Sequence, residues 1–120
     1  MFSVCYVTVP SAQVGKAIAN KLVTNKLAAC VNMIPGVTSF YEWQGKMEED
    51  NELLLMIKTQ TSLVPEVITA VKATHTYDVP EVISVPMGEG SKDYLEWVEK
   101  MTTKLPLQAG AAATETKPTS

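Results

Sequence analysis

The chain has 120 residues, 46% hydrophobic and 19% charged, with a net charge of -3. That is one domain with room for a single core, and its two cysteines, Cys5 and Cys30, fit neither a disulfide framework nor a metal-ribbon spacing. All ten basic residues are lysine, and without arginine, the bidentate reader of phosphate and guanine, no nucleic-acid partner is expected.

Residues 2–9 open a β-rich run with apolar side chains at both parities. Phe2, Val4 and Tyr6 share one face; Cys5, Val7 and Val9 share the other. Such a strand is central. The opening Met1-Phe2-Ser3-Val4 has no basic leader-like segment, and no run is long enough to span a bilayer. No direct membrane insertion is expected, and a reducing cytoplasm is the default. Ser11 caps a helix over 11–25, in which Val14, Ile18 and Leu22 recur at spacing four. Asn25 is placed to take a left-handed cap. Residues 27–34 form a second strand, and Pro35-Gly36 marks a bend through which it can continue.

Residues 37–59 hold two β-prone arms around a turn at Gln44-Gly45-Lys46. Val37, Tyr41 and Trp43 share a parity, and the acidic run Glu48-Glu49-Asp50 follows the turn. Each arm exceeds the usual strand of ~5–6 residues, so the hairpin overhangs the domain. Its aromatics pack on their own core or under another subunit; the second reading is preferred. A second helix starts at Thr61-Ser62, with Pro65 in its first turn and a stripe of Val64, Val67, Ile68 and Val71. A loop over 74–80 carries the single histidine, His75. A fourth strand spans 81–87, with Pro86 suited to an edge. Ser91 caps a third helix with Tyr94, Trp97, Val98 and Met101 on one stripe, which reads as core. Residues 106–120 lose periodicity and read as a disordered tail after a domain of 1–105.

The order β-α-β-β-α-β-α predicts an α+β fold: a ferredoxin-like split sheet with an extra C-terminal helix and a long hairpin. Helices cover one face of such a sheet. The other face is also apolar, so the third helix, a neighbouring chain or both must cover it. The same topology separates the first two strands, so Cys5 and Cys30 stay unpaired.

His75 is the one good neutral ligand for copper or zinc, and Glu81 six residues on could join it. The plainer reading is a loop histidine hydrogen-bonded to backbone. Cys30 is a candidate thiolate or a small core residue. The Glu48–Glu52 carboxylates read as a solvated face. Tyr41, Trp43, Lys58 and Tyr77 line a pocket or pack an interface. Nothing points to an enzyme: no nucleophile is paired with His75, and no glycine loop cradles phosphate.

Tyr41-x-Trp43-x-Gly45-Lys46-x-Glu48, Lys58-Thr59, His75-Thr76-Tyr77-Asp78-Val79-Pro80-Glu81, Leu27-Ala28-Ala29-Cys30-Val31-Asn32 and Tyr94-Leu95-x-Trp97 together resemble the divalent-cation tolerance proteins of the CutA type. The similarity runs in order from about Phe2 to Met101. It implies a homotrimer that binds copper, Cu(II), or another divalent cation weakly, with a role in metal tolerance. Animal members are linked to anchoring of acetylcholinesterase, and the fold resembles trimeric PII signalling proteins, so a sensor or a scaffold for a partner protein is the alternative. His75-Thr76-Tyr77 stands where members commonly read His-Pro-Tyr, and Val7 where some bacterial members carry cysteine.

Overall fold

Strict alternation in the first strand sets the architecture. In the computed structural model, which describes residues 1–103, β1 is Phe2–Val9, and Ser3, Cys5, Val7 and Val9 are all buried while their neighbours are half-buried. The expected tail at 106–120 lies outside the described residues. α1 (Ala12–Thr24) follows, capped by Ser11, whose hydroxyl accepts from the Val14 amide at 3.2 Å. Its far end closes differently from the expected Asn25 cap. Asn25 has φ −90°, and Lys26 takes the left-handed conformation at φ 58°. The Lys26 amide then donates to Val23 and the Leu27 amide to Leu22, so two orphan carbonyls are satisfied and Leu27 lands beside Leu22 in the core.

β2 (Cys30–Trp43) and β3 (Lys46–Gln60) form the long hairpin. Gln44 and Gly45 turn it with φ 50° and 79°, the two positive values that a two-residue hairpin loop requires. β2 does run on through Pro35-Gly36, but with a bulge. The pairing jumps from Ile34–Leu54 to Val37–Glu52, so β2 carries one residue more than β3 there. Before the bulge, Val31 and Met33 share the core face with Ile57 and Leu55; after it, Val37, Tyr41 and Trp43 share the opposite face with Glu52, Glu48 and Lys46.

The second helix begins at Val64, where its stripe begins, and not at the expected Thr61-Ser62. A 3-10 turn, Thr61–Leu63, precedes α2 (Val64–Thr74), with Pro65 at its start. β4 (Val82–Pro86) is an edge strand, and α3 (Lys92–Met101) closes the described chain, capped by Ser91. The sheet order is β2-β3-β1-β4, with every neighbouring pair antiparallel. Crossovers through α1 and α2 carry β1 to β2 and β3 to β4, which is the expected ferredoxin-like arrangement.

The core lies between the sheet and α1 with α2: Cys5, Val7, Val9, Leu55 and Ile57 meet Ile18, Leu22, Val67 and Val71. Each such aliphatic side chain contributes roughly 1.5–3 kcal/mol when fully buried. A buried Thr59 hydroxyl donates to the Leu27 carbonyl at 2.6 Å, tying the entry of β2 to β3. Cys5 stands opposite Ile57 and Cys30 opposite Lys58, so β3 separates the two thiols, and both are free.

The opposite sheet face holds Val4, Tyr6, Met56, Ile83 and Val85. α3 covers one end of it. Lys58 places its ammonium 5.5 Å from the Tyr94 ring centre, and Gln60 donates to the Thr102 hydroxyl at 2.8 Å. Within α3 only Val98 is fully buried; Trp97 and Met101, expected in the core, are half-buried. The rest of the face stays open in one subunit, with Ile83 54% and Val85 41% exposed.

Candidate functional site

β1 pairs with β3 only from Leu53 onward. Residues 37–52 are therefore a two-stranded ribbon, about 20 Å long at ~3.3 Å per residue. Both faces of this ribbon carry large apolar groups. Phe40 and Met47 lie toward one side and Tyr41 and Trp43 toward the other, with Phe40 65%, Met47 74% and Trp43 61% exposed.

The acidic strand meets two phenols, one partway along the ribbon and one at its root. Tyr41 lies opposite Glu48, and its hydroxyl donates to the diagonal neighbour Asp50. Tyr77 comes from the loop after α2, and its hydroxyl donates to Glu52 Oε2 at 2.9 Å. Glu52 is only 6% exposed. The bond to Asp50, with the charges around it, pushes the Tyr41 hydroxyl up to about 12. Burial first, then the bond to Glu52, pushes Tyr77 up to about 12 as well.

These groups titrate with a definite sign. Folding holds the Tyr77 proton that an unfolded chain releases near pH ~10. Stability from this contact is complete below that pH and falls as pH rises through about 12. Tyr77→Phe is expected to flatten the alkaline decline of the urea midpoint between about pH 10 and 12. An unchanged alkaline profile in that variant would remove Tyr77 as its source.

His75 begins the loop directly after α2, its amide bonded back to Val71 at 2.8 Å. It is 9% exposed. Its Nε2 lies 2.8 Å from the Thr8 carbonyl, and its Nδ1 accepts from the Tyr77 amide at 3.0 Å. The His75 and Tyr77 rings lie 4.6 Å apart.

The residues singled out from sequence are only partly brought together. His75 joins Tyr77, and Tyr77 and Tyr41 reach neighbouring carboxylates of β3. Trp43 sits at the ribbon tip opposite Lys46, and Lys58 turns instead to Tyr94. Cys30 lies in β2 opposite Lys58, 3.9 Å from the Asn32 side-chain oxygen, and Glu81 is exposed just before β4. His75, Glu81 and Cys30 do not converge: among the described residues no three histidine, cysteine or acidic side chains group to hold a metal. A cation that wants about four ligands therefore finds no ready-made set among the described residues of one chain.

Asp50 and Glu52 are functional candidates that the reading of a solvated acidic face missed. The signal was present. Counting back from the turn puts Tyr41 opposite Glu48 and diagonal to Asp50, within reach of a long side chain. No helix among the described residues is long and apolar enough to cross a membrane.

Residues 3–101 match the family described as CutA1 divalent ion tolerance protein. The chain is 54% identical over 99 residues to the chloroplastic protein CutA of Arabidopsis thaliana, covering 82% of this chain and 54% of that protein. It is 49% identical over 102 residues to the divalent-cation tolerance protein CutA of Thermus thermophilus, covering 85% of this chain and 99% of that one. It thus spans about half the length of the plant relative and of mouse protein CutA, of which it covers 56%. The solved Thermus thermophilus structure superposes with TM-score 0.83 at 48% identity, over 86% of this chain and all of that one. CutA1 from Oryza sativa gives the same TM-score, 0.83, at 48% identity, over 87% and 95% of the two chains. The match over residues 3–101, the identity to a relative covered almost end to end and the superposition leave one assignment: the chain belongs to the CutA1 divalent ion tolerance family.

Proposed function

We propose that this chain acts as a homotrimer that binds divalent cations, copper among them, and takes part in metal tolerance without catalysing a reaction. The observation that carries the assembly is the ribbon over 37–52. It leaves the subunit's sheet, and Phe40, Trp43 and Met47 are more than half exposed on its two sides. Apolar area of this kind on both faces calls for a chain on each side, and the open sheet face at Ile83 and Val85 calls for another. The family resemblance supplies the number three. Since one subunit groups no three ligands among the described residues, a cation site in this reading draws donors from more than one subunit.

Sedimentation equilibrium tests the assembly. A mass of about three times 13.1 kDa at micromolar concentration is expected, and a single-subunit mass would end the reading. Titration of the assembled protein with Cu(II) and Zn(II) tests the cation. Copper heads the first-row affinity order, so zinc should bind no more tightly at shared ligands. A trimer that binds neither ion would favour the second reading, a sensor or partner scaffold, which the engagement of both His75 ring nitrogens already supports.

A further inference from the structure

We infer that His75 is a backbone clasp in this chain, positioning Tyr77 against Glu52, and not a ligand for a cation. The inference concerns one subunit and stands whether or not the trimer forms.

The argument starts from donor and acceptor types. A carbonyl oxygen only accepts, so His75 Nε2 must carry the proton that it shares with Thr8 at 2.8 Å. An amide only donates, so His75 Nδ1 must offer its lone pair to Tyr77 at 3.0 Å. The ring is thereby held in one neutral tautomer with both in-plane positions used. A metal coordinates through an in-plane lone pair of a neutral imidazole. At Nδ1 it would displace the Tyr77 amide and leave that N–H without a partner. At Nε2 it would displace the proton, orphan the Thr8 carbonyl and turn a protonated Nδ1 toward the Tyr77 N–H. The residue is 9% exposed, so water is poorly placed to repair either loss.

The two bonds also explain what the histidine does. They fasten the start of the 75–81 loop to the end of β1 and fix the chain direction through Tyr77. From there the Tyr77 hydroxyl reaches Glu52 at 2.9 Å, next to the point where the ribbon leaves the sheet. The clasp links the end of α2, the end of β1 and the root of the hairpin through one side chain and one phenol.

Three measurements on the full chain test this. Long-range proton–nitrogen correlation on the wild type should show a protonated Nε2 and an unprotonated Nδ1, both unmoved by excess Zn(II). Cu(II) and Zn(II) affinities should stay within threefold in His75→Asn and His75→Gln. Exchange of the Tyr77 amide proton should be slow in the wild type and in His75→Asn, whose side-chain oxygen can take the place of Nδ1. It should be at least tenfold faster in His75→Ala. A zinc-induced shift of either ring nitrogen would overturn the inference. So would a tenfold loss of metal affinity in the two conservative variants with the circular dichroism spectrum intact, or a Tyr77 amide as well protected in His75→Ala as in the wild type. Failure of the trimer reads out separately, in the sedimentation mass.

Discussion

Trp43→Ala is expected to dissociate the proposed trimer while leaving the subunit fold intact. Trp43 is 61% exposed in one subunit and stands at the last pair of the ribbon, opposite Lys46. Nothing in the core of that subunit rests on it. Truncating an aromatic that is buried costs about 3–5 kcal/mol. If a neighbour covers the indole, that cost falls on association, and at about 1.4 kcal/mol per decade it amounts to a hundredfold or more for each copy. Dilution monitored by light scattering should show the variant dissociating at concentrations where the wild type stays whole, with an unchanged far-ultraviolet spectrum. A variant that remains assembled at nanomolar concentration would show that Trp43 anchors nothing.

Ile57→Ala should act on the opposite quantity. Ile57 is fully buried near the C-terminal end of β3, with Cys5 opposite it on β1 and Val31 on β2. Removing its branched end deletes contacts that the sheet and helices cannot easily close around. Such truncations cost about 2–5 kcal/mol, against a total stability of about 5–15 kcal/mol for a domain. Urea unfolding at matched protein concentration should lower the midpoint with the slope unchanged. A loss below about 1 kcal/mol would mean that the site relaxes far more than close packing allows.

Much of this fold is legible because its signals are local and repeated. The β-rich run at 2–9, the spacing of Val14, Ile18 and Leu22, and the Gln44-Gly45 turn each point to one structure. The turn also fixes the pairing, so Tyr41 opposite Glu48 follows by counting. The misses have physical reasons. Left-handed backbone was expected at Asn25 because its side chain tolerates it, but the closing bonds place that conformation at Lys26, one residue past the cap. The carboxylates of β3 read as solvated because a one-dimensional pattern does not show a loop 25 residues away arriving on Glu52. His75 drew attention as the single imidazole, yet its role depends on Thr8, which lies 67 residues away in sequence. Contacts of that kind belong to tertiary structure, and composition carries no trace of them.

The bulge between Ile34 and Val37 gives the hairpin a geometry that evolution can adjust by increments. It resets the strand's phase, so the side chains that fill the core and those displayed on the ribbon follow separate registers. Adding one residue to each arm near the tip would lengthen the ribbon by about 3.3 Å and swap the sides of everything beyond. Adding two to each arm would lengthen it by nearly 7 Å and keep every side chain on its own face. The ribbon is thus a ruler graduated in steps of two residues, and relatives that differ in its length should differ by even numbers in each arm.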